Sequence, residues 1–238
     1  LAPRYVVASA CQFRQESWSW YNHAFFPITY QCFMETVANR LPGTTAVRLN
    51  PSVSVELTPT DLSYAPSLEW VTLLENPDVD YDYQPSLIPP DMAEIANHFP
   101  ALLPGETDLV IQYCTNDLPA IFHALDPTGD LYFEKSRLWR LSLYDQRGHV
   151  MHFHFRVHQN KLSSCDADDA TIEWTTEICQ YKLHAALTTG ETLTSLYMRI
   201  NDFPFNDNTR QELEYAEIVD DPLIRCLFNE KFGAYQRD

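Results

Sequence analysis

Apolar and polar residues alternate with a two-residue period in two neighbouring segments in the middle of the chain. These segments, Leu138–Asp145 (LWRLSLYD) and His149–His158 (HVMHFHFRVH), flank the tripeptide Gln-Arg-Gly at 146–148. A two-residue period is typical of a strand with one buried face, and a short loop containing glycine joins antiparallel strands. We therefore predict a β-hairpin in which Phe153 and Phe155 face the core.

Other segments predict a mixture of helices and strands. The helix-like residues 15–41 are divided at Pro27, because proline removes a helical hydrogen bond and clashes with the preceding turn. A helix over 166–187 and a final helix that begins at Asp221 are also predicted. Further strands are predicted at 5–13, 45–57, 108–114 and 193–200.

These elements predict an α+β fold, in which helices pack on one face of a mainly antiparallel sheet. The length of 238 residues fits a single domain over residues 1–238. Residues 51–104 hold nine of the 16 prolines and the acidic patch Asp78–Asp82 (DVDYD). We predict that they form a largely irregular excursion within the domain, with one helix near 90–103.

The charge balance is strongly acidic, with 33 acidic and 16 basic residues and a net charge of −17. Nucleic-acid binders usually carry a basic stripe, and anionic membranes attract basic segments, so we expect neither partner. No apolar run approaches the roughly 18–20 residues that cross a bilayer. We predict a cytoplasmic protein, whose acidity serves solubility or, less favoured, a basic partner. Six cysteines without a CxxC pair are expected to be largely buried free thiols.

The polar face of the second hairpin strand offers the main candidate site. His152, His154, Arg156 and His158 share this face, and the facing strand adds Arg140 and Tyr144. His and Arg are ordinary on a solvated sheet face, but arginines also bind carboxylates and phosphates. The alternative is a zinc or iron site at His152 and His154, roughly 6.5–7 Å apart, which nearby arginines disfavour.

A thiol site is a further possibility. Cys32 stands near the start of a predicted helix, where the helix dipole favours a thiolate. His149 and Asp166 follow in an order suited to a general base and the acid that orients it. The competing interpretation places Cys32 on the buried apolar stripe of its helix, which would make the thiol inert.

Familiar enzyme motifs are absent from the sequence. It contains no GxxxxGK[ST], GxGxxG, GxSxG or HExxH pattern, which argues against P-loop, dinucleotide, α/β-hydrolase and zincin sites. The sequence therefore favours a non-catalytic acidic module that binds a protein partner or an anionic ligand through its His/Arg sheet face and acidic loop. A metal-dependent enzyme and a Cys-His-Asp thiol hydrolase are the alternatives.

Overall fold

The computed structural model describes residues 3–8, 14–71, 76, 78–125, 131–168, 171–202 and 221–228. They belong to two compact units, Leu1–Pro89 and Pro90–Asp238. The single domain over 1–238 stays a prediction. Within the described residues, no helix is both long and apolar enough to cross a membrane.

The first unit combines two short helices with two small sheets. Its helices are separated at Pro27 as predicted, and the Thr29 side chain caps the second helix by accepting the Cys32 N–H at 3.1 Å. Residues 45–57, whose alternation around Pro51 fits two short strands or one broken edge strand, form two short strands in different sheets. Part of the predicted strand 5–13 lies outside the described residues. The elements are β1 (Tyr5–Val7) paired in parallel with β2 (Thr45–Val47), the antiparallel hairpin of β3 (Ser54–Leu57) and β4 (Leu62–Ala65), and helices α1 (Tyr21–Ala24) and α2 (Tyr30–Arg40).

The second unit contains a five-stranded sheet in the order β7-β6-β5-β8-β9. Its strands are β5 (Arg137–Tyr144), β6 (Val150–His158), β7 (Lys161–Ser164), β8 (Trp174–Cys179) and β9 (Arg199–Asp202). The β5–β8 pair is parallel and the other pairs are antiparallel. This confirms an α+β fold with a mainly antiparallel sheet.

Helices cover mainly one face of this sheet. Its apolar face, which includes Trp139 and Phe155, shares one core with side chains from four helices. At the opposite face, Arg199 of β9 donates to the Pro90 carbonyl at 2.8 Å, just before the short helix α3. The helical elements are α3 (Met92–Ala96), α4 (Pro104–Gln112), the π-helix Tyr113–Asp117, α5 (Leu118–Ala124), α6 (Gln180–Thr188), α7 (Pro222–Phe228) and the 3₁₀ turns Leu131–Glu134 and Leu193–Leu196.

The central hairpin forms as predicted, with β5 and β6 joined at residues 145–149. Phe155 is 1% exposed and Phe153 is half-buried against the core, whereas the side chains of the alternate residues lie on the other face. Gly148 has φ +78°, and a Cβ there would lie 2.9 Å from the Cβ of Ala93. Only glycine therefore fits this turn without displacing α3.

One predicted element is wrong and two are wrong in part. Residues 108–114 belong to α4 and the π-helix rather than to a strand. The range 166–187 holds strand β8 before helix α6, and 193–200 begins with a 3₁₀ turn before β9. In the first case the helix is favoured because the Glu106 carboxylate accepts the Leu103 N–H at 2.8 Å. Its apolar residues then form a buried helical stripe at Val110, Tyr113, Cys114 and Leu118.

A buried carboxylate joins α7 to the middle of the sheet. Asp221 accepts hydrogen bonds at Oδ1 from two first-turn backbone N–H groups of α7, at 2.9 and 3.1 Å. Its Oδ2 accepts from the Thr176 hydroxyl and from the Trp174 indole, the latter at 3.4 Å. The Trp139 indole donates to the Thr176 hydroxyl at 2.9 Å. Because all four side chains are buried, these bonds replace the water that each polar group loses on folding.

This carboxylate should make stability depend on pH. Burial raises the pKa of Asp221, although hydrogen bonds from Thr176, Trp174 and the α7 backbone oppose the shift. The folded chain then holds a proton that the unfolded chain releases near pH ~4. The free energy of unfolding should therefore fall as the pH rises from there through the folded pKa. Urea unfolding of the wild type and of Asp221→Asn should show this fall only in the wild type.

The matched control is Asp108→Asn, on the exposed side of α4. Its pH profile should run parallel to that of the wild type. Parallel profiles for Asp221→Asn and the wild type would show that Asp221 does not carry the effect.

Candidate functional site

The register of three strands gathers the predicted polar residues on one face of the second-unit sheet. Arg140 on β5 lies opposite His154 on β6, and Ser142 lies opposite His152. On the other side of β5, Ser142 pairs with Glu177 of β8. Because paired residues share a face, these side chains form one polar surface. We call it the His/Arg face, and its members on these three strands are Arg140, Ser142, Tyr144, His152, His154, Arg156, His158, Thr175 and Glu177. Arg199 of β9 pairs with Glu177 and continues the face.

Exposure changes across the His/Arg face. Along β6, His152 and Arg156 are exposed, whereas His154 and Arg140 are half-buried. Ser142 and Thr175, nearer the middle of the sheet, are buried. The polar side chains of the face are therefore more buried on β5 and β8 and more accessible along β6. His158 lies at the far end of β6, opposite Lys161 and away from Ser142 and Thr175.

The two central histidines have neighbouring rings. The ring centroids of His152 and His154 are 6.2 Å apart. Nδ1 of His152 lies 2.9 Å from the Ser142 hydroxyl, which fixes the ring orientation and directs Nε2 away from the sheet. Within the described residues, no group of three His, Cys, Asp or Glu side chains is arranged to hold a metal ion. The zinc or iron site at these residues stays a prediction.

Tyr144 and Glu177 form the acidic end of the face. The Tyr144 hydroxyl donates to Glu177 Oε1 at 3.2 Å. Burial and the negative charge of Glu177 raise the pKa of Tyr144 to about 12, and Arg140 opposes the shift. Tyr144 therefore remains a neutral hydrogen-bonding group at physiological pH, between the guanidinium of Arg140 and the carboxylate of Glu177.

A thiol borders the opposite end of the face. The Cys165 backbone N–H donates to the His154 carbonyl at 3.0 Å, so Cys165 extends the pairing of β7 with β6. Burial raises the pKa of Cys165, Arg156 opposes this, and Asp166 adds to it. The thiol is therefore neutral at physiological pH. The Arg156 guanidinium donates to the Ser136 hydroxyl at 3.2 Å.

The residues of the thiol hypothesis occupy different surroundings from those predicted. Cys32 is exposed on α2 in the first unit, so the interpretation that places it on a buried stripe is wrong. His149 in the second unit is 74% exposed, and its Nδ1 lies 3.2 Å from Asp145 rather than being bonded to Asp166. Among the other described cysteines, Cys165 is half-buried, and the expectation of buried free thiols is confirmed for Cys114, Cys179 and Cys226. Cys11 lies outside the described residues. The Cys32, His149 and Asp166 triad itself stays a prediction.

The acidic loop Asp78–Asp82 is held by partners within the first unit. Asp80 forms a 2.8 Å ion pair with Arg48, whose guanidinium lies 4.2 Å from the Tyr30 ring centroid. Asn50 donates to the Asp78 carboxylate at 2.8 Å. Two of the loop's carboxylates therefore order the loop, while the third, Asp82, is exposed.

Comparison with known proteins gives little likeness. No protein-family model matches the chain, and no curated protein matches it. Over 52% of its length the chain is similar to the MycE methyltransferase from the mycinamycin biosynthetic pathway in complex with Mg, SAH and mycinamycin VI, with 15% identity and a TM-score of 0.32. A second structure of that enzyme, with Mg and SAH, gives 52% coverage, 14% identity and a TM-score of 0.32. The chain spans about two fifths of these proteins, 41% and 38% respectively. Likeness at this level assigns no activity.

The sequence prediction missed two members of the face, Thr175 and Glu177. Both lie on β8, which was predicted as helix. The run Trp-Thr-Thr-Glu-Ile-Cys at 174–179 is rich in aromatic and β-branched residues, and this composition is the signal that favours a strand.

The pairing of Tyr144 with Glu177 can be tested by titration. Glu177→Gln should lower the pKa of Tyr144 from about 12 towards the ordinary tyrosine value, because the variant removes a negative charge that disfavours the phenolate. Carbon-13 NMR of tyrosine-labelled protein would follow the ionisation, with Tyr144→Phe identifying the signal. Ionisation of Tyr144 in the wild type near pH ~10 would contradict the described contact.

Proposed function

We propose that the protein binds a small anionic ligand, one that carries a carboxylate or a phosphate, at the His/Arg face. The observation that supports this most is the cross-strand register of Arg140 with His154 and of Ser142 with His152. It places a permanent cation, two imidazoles and a hydroxyl beside one another. The proposal is one of binding without chemical turnover.

The chemistry of these groups suits an anion. Arg140 offers a planar set of donors that matches two oxygens of a carboxylate or phosphate. His154 and the exposed His152 add ring nitrogens that can donate to an anion. The hydrogen bond between the buried Ser142 hydroxyl and Nδ1 of His152 orients the His152 ring. Arg156, two residues beyond His154 on the same face, adds a second permanent cation at the accessible side.

A protein partner is the alternative ligand, since the same face would also accept the carboxylates of an acidic segment. The acidic loop supports a basic partner less well, because Asp78 and Asp80 are occupied within their own unit. The small anion is favoured because Arg140 and His154 are half-buried, whereas Arg156 is exposed. A compact ligand reaches such groups more readily than a folded protein surface does.

Thermal unfolding with inorganic phosphate is the first test. Phosphate should raise the unfolding temperature of the wild type relative to potassium chloride of equal ionic strength, because a ligand that binds only the folded state stabilises it. Arg140→Gln combined with Arg156→Gln should reduce the affinity by about a hundredfold, at roughly 1.5 kcal/mol or more for each lost charged hydrogen bond.

The control for this test is Arg40→Gln, an exposed arginine at the end of α2 in the first unit. It should leave the phosphate-induced rise unchanged. The rise, rather than the absolute unfolding temperature, is compared, because removal of the half-buried Arg140 also changes stability. An equal rise in all three proteins would contradict the proposal.

The affinity for phosphate should also depend on the two central histidines. It should decrease by about tenfold in His152→Gln with His154→Gln, because this variant removes two ring donors beside Arg140. Calorimetric titration at one pH would measure the loss, with sulfate as a second anion of constant charge.

The same double variant also tests the metal-dependent enzyme. If His152 and His154 bind a metal, protein purified without chelator should carry zinc or iron near one equivalent, and the double variant should lose it. Metal found in this amount, together with loss of the phosphate effect on chelation, would replace the proposed anion site with a metal site.

A further inference from the structure

The hairpin β3–β4 in the first unit has an apolar face that is open to solvent. Its register pairs Val55 with Tyr64 and Leu57 with Leu62, and paired residues share a face. Leu57 is 63% exposed and Tyr64 is 67% exposed. Among the described residues, β3 and β4 pair only with each other. Two-stranded hairpins are marginal in water by themselves, so this face would gain stability from a partner.

The hairpin is ordered by hydrogen bonds in its turn. The Thr58 N–H donates to the Asp61 carbonyl at 2.9 Å, and the Asp61 N–H donates to the Thr58 hydroxyl at 2.9 Å. The Asp61 carboxylate also accepts the Leu62 N–H at 2.8 Å. A partner would therefore meet a preformed surface, with little ordering entropy to oppose binding.

A third exposed apolar side chain belongs to the turn that follows. The Leu68 N–H donates to the Ser52 carbonyl at 3.0 Å, which holds this turn close to the start of β3. Trp70, in the same turn, is 80% exposed. Exposed tryptophan and tyrosine side chains are the residue types that contribute most to binding at protein interfaces.

The part of the first unit that contains the hairpin has an acidic sequence. Glu56, Asp61 and Glu69 are exposed in the hairpin or close to it in the sequence. Residues 49–89 contain seven acidic residues and no lysine or arginine. A second copy of the chain, at a net charge of −17, would be repelled, as would an anionic membrane. A cationic partner would be attracted.

We propose that this hairpin face binds a basic polypeptide segment that also carries apolar side chains. The apolar side chains would cover Leu57 and Tyr64, and the lysines or arginines would be attracted by the negative charges of Glu56, Asp61 and Glu69. The inference is independent of the His/Arg face and of its anionic ligand.

Binding of short labelled peptides to the full chain, followed by fluorescence anisotropy, tests the proposal. A peptide of alternating lysine and leucine should bind, one of alternating glutamate and leucine should not, and one of alternating lysine and serine should bind about tenfold more weakly. Leu57→Ser with Tyr64→Ser should weaken binding of the lysine–leucine peptide by about tenfold or more. Glu56→Lys with Glu69→Lys should weaken it and flatten its salt dependence.

The matched control is Asp108→Lys with Leu109→Ser, an exposed acidic and apolar pair on α4 of the second unit. It should bind the lysine–leucine peptide as the wild type does. Equal binding by the control and both hairpin variants would overturn the proposal, as would self-association of the wild type that Leu57→Ser with Tyr64→Ser abolishes. If the serine variant loses its circular dichroism spectrum, the lysine variant at exposed positions decides the outcome.

Discussion

The buried carboxylate of Asp221 joins helix α7 to strand β8, and the arrangement of the second-unit sheet depends on this connection. A buried carboxylate is costly unless donors replace its water, and Asp221 has four, two from α7 and two from β8. The Thr176 hydroxyl also accepts a hydrogen bond from the Trp139 indole of β5. The network therefore links the parallel strands β5 and β8. Because side chains alternate along a strand, the opposite face of these strands carries Arg140 and Glu177. The core network thus sets the positions of the residues at the candidate site.

The hairpin could be predicted from sequence because its alternation is local and its loop is short. The period of two decides that Phe155 is buried and that His154 lies on the other face, and the loop sets their partners on β5. Strand β8 lacks this signal, since Thr175 and Thr176 on opposite faces are both buried. A strand covered on both sides shows no alternation, and its threonines are satisfied by partners distant in the sequence.

The candidate site likewise has one part that could be predicted from sequence and one part that could not. Its cationic part could be predicted because His152, His154 and Arg156 follow one another on one strand, and Arg140 lies on the strand joined to it. Its acidic part could not, because Glu177 comes from a strand far along the chain, brought beside β5 by a parallel pairing. Nor does sequence distinguish the half-buried Arg140 from the exposed Arg156, a difference that depends on neighbouring strands and that favours a compact ligand.

The two proposed surfaces would bind ligands of opposite charge, so the electrostatic field of the chain acts on these ligands in opposite ways. A net charge of −17 repels anions at long range, but salt screens this repulsion beyond about 8 Å under physiological conditions. A small anion that has reached Arg140 interacts mainly with nearby donors, whereas an extended polyanion also meets the acidic surroundings. At the proposed anion site the acidity of the chain would therefore favour small anions over nucleic acids. At the proposed hairpin site the same field would attract a basic segment, and added salt would weaken that attraction while it screens the long-range repulsion of anions. The two proposals thus differ in their expected response to salt, because one charge distribution acts on ligands of opposite charge.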